Sequence, residues 1–154
     1  MMHLCFDVIS ALSGRTLVTA ESCTGGGIGA ALTAVPGSSA VYKGGIISYT
    51  NWVKEQTLRV PSEMLEKYGA VSPQVAQAMA VGARKVLQAD VAVSVTGLAG
   101  PGGDEFGNPV GTVYIGYADD REVKSFAFHF SGDRDSVRSA AVNAALEIIL
   151  REIK

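Results

Sequence analysis

Apolar residues recur with helical spacing in some stretches and in short β-branched runs in others, and glycine and proline mark the changes between them. Residues 3–12 read as an amphipathic helix stopped by Ser13-Gly14. Thr16 to Thr19 reads as a short buried strand that runs into Ala20-Glu21-Ser22-Cys23-Thr24-Gly25-Gly26-Gly27. The small and apolar residues from Thr24 to Val35 predict a helix lying close on a sheet, ended by Pro36-Gly37. Tyr42 to Tyr49 predicts a second strand, and Asn51 an N-cap for a helix over 52–58. Ser72-Pro73 has the form of a cap followed by proline at the first helical position, and Val75, Met79, Gly82 and Val86 continue it with a single apolar face.

Asp90 to Thr96 is a β-branched strand, and Gly97 to Pro109 a long Gly-rich loop. Val110 to Tyr117 and Glu122 to Phe130 then read as a hairpin turning at Asp119-Asp120, with Phe126, Phe128 and Phe130 on one face and His129 on the other. A helix from about Asp133 to Ile153, Ala-rich on more than one side, closes the chain. The order α, β, α, β, α, α, β, β, β, α predicts one domain over residues 1–154, of α/β class, with a mixed sheet in a three-layer α/β/α arrangement. In such sheets ligands gather at the carboxyl ends of strands, and both the Ser22 turn and the Gly97 loop fall at such ends.

Composition narrows the partners. Hydrophobic residues are 47% and charged ones 18%, enough apolar side chain for a packed core. Thirteen Lys and Arg are interspersed with 15 Asp and Glu, so no basic stripe is available for nucleic acid or an anionic membrane. No apolar run reaches the ~20 residues that span a bilayer, and the first residues lack the charge and cleavage pattern of a secretory signal. Cys5 and Cys23 stand apart, with neither metal nor redox spacing, which suits a reduced cytoplasmic compartment.

Several chemistries fall away on residue type. His3 and His129, the only histidines, lie far in sequence from the glycine clusters, which disfavours a Ser-His-Asp triad. Two isolated histidines and two isolated cysteines do not make a zinc site. No lysine follows a glycine cluster as in a P-loop, and although Gly25, Gly27 and Ala30 match G-x-G-x-x-A, no acidic residue follows at ribose-binding distance. Ser22 remains, at a turn whose free N–H groups suit an oxyanion or a phosphate, with the alternative that it is only a helix cap. Cys23 is a rival nucleophile or a small buried hydrophobe. Lys54 is the candidate base, since a desolvated amine can be neutral near physiological pH; the alternative is a solvated helix lysine.

The string Thr19-Ala20-Glu21-Ser22-Cys23-Thr24-Gly25-Gly26 resembles the signature of the CinA C-terminal family, the nicotinamide-nucleotide amidases. Pro36-Gly37-Ser38-Ser39, Ser48-Tyr49-Thr50-Asn51 with Lys54, Gly69-Ala70-Val71-Ser72, Thr96-Gly97-Leu98-Ala99-Gly100-Pro101-Gly102-Gly103 and Pro109-Val110-Gly111-Thr112-Val113 follow in the matching order. The resemblance implies hydrolysis of nicotinamide mononucleotide to nicotinic acid mononucleotide and ammonia, without cofactor or metal, by a homo-oligomer. It puts the nucleophile at Ser22 and the proton-handling pair at Tyr49 and Lys54.

Thr24, Gly25 and Gly26 are then candidates for the oxyanion hole, and Thr96, Gly97, Gly100 and Gly102 for the wall that meets phosphate or ribose. Arg134 and Arg138 are candidate phosphate partners, or else solvated helix arginines. Only 21 residues precede Ser22, which is short for the family's leading helix and predicts a weaker oligomer or pocket wall. A second reading, from another class, is a non-catalytic module that binds nucleotide or phosphate through its glycine loops.

Overall fold

The computed structural model describes all 154 residues. Helix α1 (Met2–Ala11) leads into β1 (Leu17–Glu21), followed by α2 (Gly27–Thr33) and β2 (Tyr42–Ile47). Three helices come next, α3 (Asn51–Leu58), α4 (Ser62–Tyr68) and α5 (Pro73–Val86), and then β3 (Val91–Gly97), β4 (Thr112–Ala118), β5 (Val123–His129) and α6 (Arg134–Glu152). The five strands form one mixed sheet in the order β2-β1-β3-β4-β5. β1 runs parallel to both β2 and β3, while β4 pairs antiparallel with β3 and β5.

The pleat sorts the strand residues into two cores. Leu17, Val91, Val93 and Val95 join Val8 of α1, Ile28 and Leu32 of α2, and Leu146 and Ile149 of α6 on one face. Val18, Ala20 and Ala92 meet Leu58, Leu65, Val75 and Met79 from α3, α4 and α5 on the other. These are the three layers expected. The strand residues on the α5 side are smaller, which lets that helix come close: Ser94 Oγ donates to Ala76 O (2.6 Å) and accepts from Gly116 N–H (3.2 Å). A Cβ on Gly116 would collide with the Ala76 carbonyl, and one on Gly82 with the Leu58 carbonyl. α6 is buried on more than one side, through Val137, Ala141, Val142, Ala145, Leu146 and Ile149 among others.

Several boundaries differ from the expectation, each for a local reason. β1 extends through Ala20 and Glu21, because ladders on both sides continue to that point. α2 starts at Gly27, since Gly25 and Gly26 are left-handed and cannot belong to the helix. Thr50, not Asn51, caps α3, its hydroxyl accepting from Val53 N–H at 3.4 Å. The sequence reading lacks α4, which follows Pro61 and buries only Leu65. Val86 leaves the apolar face of α5 and is exposed. β4 starts at Thr112, two residues later than expected, after the left-handed Gly111.

No helix is long and apolar enough to cross a membrane.

Candidate active site

The carboxyl ends of β1, β2 and β3 meet, because Glu21 is in register with Ile47 on one side and Val95 on the other. Ser22 is the first residue beyond β1; its N–H still donates to Val95 O (3.0 Å), which fixes its backbone while the chain turns away. The turn requires positive φ at Gly25 (+59°) and Gly26 (+99°), conformations costly for any side chain. Gly25 N–H donates back to Ser22 O at 3.1 Å.

Beneath this turn lies Glu21, 2% exposed. One carboxylate oxygen accepts from Thr24 Oγ1 (2.7 Å) and Ile28 N–H (2.9 Å), and the other from Gly29 N–H (3.0 Å). The last residue of β1 thus satisfies the first turn of α2, and the Ser22 turn is held between them. Glu21 has no role among the sequence expectations. Its signal was there: an acidic residue a few positions ahead of a helix start.

Lys54 enters from the opposite layer. One turn into α3, it is 1% exposed, and its Nζ donates to Ser48 O (2.8 Å) and to Ser22 Oγ (3.1 Å). Ser48 is placed by its own N–H, which donates to Glu21 O at 2.8 Å. Burial disfavours the ammonium and brings its pKa down from 10.5 to about 8. The same burial pushes the Cys23 thiol up to about 11. At neutral pH the cysteine is therefore a protonated thiol, and Ser22 is the side chain touching an amine able to take a proton.

These residues line a cleft of about 300 Å³. Thr96, Gly97, Gly100 and Gly102 form one wall, with the Thr96 hydroxyl donating to Ala70 O at 2.8 Å. The loop beyond is braced by Asp104, whose carboxylate accepts from Phe106 N–H (3.1 Å), Asn108 N–H (2.9 Å) and Asn108 Nδ2 (2.8 Å). Asn108 Nδ2 also donates to Val71 O at 3.1 Å, fastening the loop to the approach to α5.

Tyr49 and Arg134 stand at the mouth. The Arg134 guanidinium donates to Gly100 O and, at 3.2 Å, to Tyr49 Oη. Tyr49 is 59% exposed and makes no hydrogen bond to Ser22 or Lys54. With Ser22 and Lys54 directly bonded, no tyrosine relay is required between them.

Arg138 and the Thr24 side chain do not enter the cleft. Arg138 is directed at the back of the turn, its Nε donating to Cys23 O (3.0 Å) and Nη2 to Thr24 O (3.3 Å), and it does not line the cleft. Thr24 turns its hydroxyl to Glu21. Gly25 N–H is used by Ser22 O, which removes it from the oxyanion donors. Gly26 approaches Ile47, where a Cβ would stand 3.1 Å from Cδ1. The N–H groups of Cys23, Thr24 and Gly26 make no hydrogen bond to another residue, unusual for residues as buried as Cys23 (6%) and Thr24 (2%).

Known proteins share both sequence and architecture. The chain is 50% identical over 143 residues to a CinA-like protein of Parasynechococcus marenigrum, covering 92% of this chain and 34% of that protein. It is 44% identical over 154 residues to a CinA-like protein of Endomicrobium trichonymphae, covering 96% and 36%. The chain thus spans about a third of the length of the curated relatives it matches. The crystal structure of a competence damage-inducible protein from Klebsiella pneumoniae superposes with a TM-score of 0.96 at 36% identity, over 99% of this chain and 96% of that one. A competence/damage inducible protein from Agrobacterium tumefaciens gives 0.96 at 39% identity, over 99% and 95%. Residues 5–153 match the CinA C-terminal domain, and the chain belongs to that family.

Proposed function

We propose that this protein is a serine amidohydrolase that converts nicotinamide mononucleotide to nicotinic acid mononucleotide and ammonia. The observation that carries the reading is the buried contact between Lys54 Nζ and Ser22 Oγ, 3.1 Å, with the amine pKa brought down to about 8 by its surroundings.

Ser22 Oγ attacks the carboxamide carbon while its proton passes to neutral Lys54. The carbonyl oxygen becomes an oxyanion beside the unpaired N–H groups that follow Ser22. As the tetrahedral intermediate collapses, the Lys54 ammonium gives its proton to the leaving nitrogen, ammonia departs and an ester to Ser22 remains. A water then attacks that ester, Lys54 takes one of its protons, and the same proton returns to Ser22 Oγ as the product leaves as the carboxylic acid, which ionises by giving its proton to the released ammonia. Serine supplies the nucleophile and lysine the proton transfers, so the cycle calls on no cofactor.

Recognition of the substrate is assigned to Arg134 and the Gly97–Gly102 wall. A guanidinium bonded only to a carbonyl and a phenol at an exposed mouth is free to exchange them for phosphate oxygens. The reading places the protein in the cytoplasm as a homo-oligomer acting on a small molecule.

Purified protein incubated with nicotinamide mononucleotide, with nucleotides separated and ammonia measured, tests it. Equal amounts of nicotinic acid mononucleotide and ammonia are expected. Saturable binding without ammonia would instead identify a phosphate-binding module.

A further inference from the structure

Arg138 lies one turn beyond Arg134 on α6, the layer opposite Lys54, and reaches more than 110 residues back along the chain. Both carbonyls it grips belong to the turn after the nucleophile. The first is the carbonyl of the Cys23–Thr24 peptide, and the only cis peptide in the chain is Gly100–Pro101. In a trans peptide the C=O and N–H point in opposite directions. A carbonyl drawn toward α6 therefore turns the Thr24 N–H away from α6, toward the layer from which Lys54 enters. The second grip, on Thr24 O, fixes the following peptide, whose Gly25 N–H closes back on Ser22 O. A positive charge on a carbonyl oxygen also polarises the peptide and strengthens its N–H as a donor.

We propose that Arg138 is the positioning residue of the oxyanion site: by holding the Cys23 and Thr24 carbonyls it sets the Thr24 N–H against the oxygen that becomes negative during attack. This rests on the reading of Ser22 as an acyl-transfer nucleophile. It also accounts for an arginine on the far side of the turn whose Nε and Nη2 both bond backbone carbonyls. Glu21 holds the Thr24 side chain, and Arg138 the Thr24 backbone.

The test compares wild type, Arg138→Met and Arg138→Lys in two assays: ammonia release from nicotinamide mononucleotide, and the rate at which a fluorophosphonate labels Ser22. In labelling, Ser22 Oγ bonds to phosphorus, fluoride leaves, and the proton goes to Lys54, so the oxyanion site is read without the natural substrate. Arg138→Met should lower kcat and the labelling rate by roughly 10- to 100-fold, less than the 10²- to 10³-fold cost of deleting an oxyanion donor outright. KM should stay within about threefold, and the pH at which the rate levels off should not move, because Lys54 is untouched.

Arg138→Lys, reaching one carbonyl with a compact charge, should fall between the two. Guanidinium ion at tens of millimolar, roughly, should restore part of the Arg138→Met rate. If Arg138→Met proves unfolded by its melting curve, Arg138→Lys carries the test. An unchanged kcat, a loss confined to KM, or a displaced pH plateau would overturn the proposal. Wild type that labels but releases no ammonia would overturn the substrate while leaving this inference to be judged on labelling. Wild type inert in both would remove the nucleophile reading and this one with it.

Discussion

At the floor of the cleft Ser22 is 7% exposed and Lys54 1%, and each is fixed by hydrogen bonds to strand ends and to buried partners. At the mouth, Tyr49 is 59% exposed and meets Arg134 through one hydrogen bond of 3.2 Å between two solvated side chains. The floor is built from positions that the sheet register and the helix starts define, so its geometry is inherited from the fold. The mouth is built from exposed side chains with room to move, Tyr49 just past β2 and Arg134 at the start of α6, beside the loop that Asp104 and Asn108 brace. Under the proposed function, the rigid part carries the chemistry and the adaptable part the choice of ligand.

The sharpest way to break that division is at the nucleophile. Ser22→Ala should lower kcat by on the order of 10³-fold or more, while Cys23→Ala, whose thiol is held protonated, should keep most of the activity. Steady-state ammonia release on both variants checks this, and the reverse result would make the protein a thiol enzyme.

Lys54 comes next. Lys54→Arg keeps a positive charge but cannot lose a proton near neutral pH, so its rate should fall by roughly 10²- to 10⁴-fold, close to that of Lys54→Ala. In wild type, kcat/KM should climb with pH and level off above about 8, the amine acting only when neutral. An arginine variant retaining most of the rate would turn Lys54 into an electrostatic clamp.

The mouth should respond less and differently. Arg134→Ala is expected to raise KM by about tenfold and Tyr49→Phe by only a few-fold, with kcat kept within about threefold in both. A large kcat loss in Tyr49→Phe would draw the phenol into the chemistry and erase the distinction between floor and mouth.

Much of this was legible in the chain because local signals were strong. The run of glycines after a β-branched strand marked the Ser22 turn, Ser72-Pro73 marked the start of α5, and the β-branched run marked β3. What escaped is long-range or ambiguous. No spacing rule joins Arg138 to Cys23 O or Asn108 to Val71 O, since those contacts exist only after the layers close. Thr50 and Asn51 are both competent caps, and only the backbone angles decide between them. α4 carries one buried side chain, Leu65, too little periodicity to announce a helix. Tyr49 sits beside Ser48 in sequence, yet only Ser48 faces inward, because the chain leaves β2 there.

The buried amine of Lys54 has a thermodynamic cost. In the unfolded chain it keeps its proton up to its ordinary 10.5, whereas in the folded protein it gives it up near 8. Between those values the unfolded state binds more protons, so folding becomes more favourable as pH rises through that window. Below about 8 the full penalty is present, on the order of 3 kcal/mol from the displacement alone. That is a sizeable part of the total stability of a small domain. Lys54→Met, which removes the charge and keeps the length of the chain, should therefore melt at a higher temperature than wild type at pH 7, with the gap closing toward pH 10. The fold is held below its attainable stability at the residue the proposed chemistry requires.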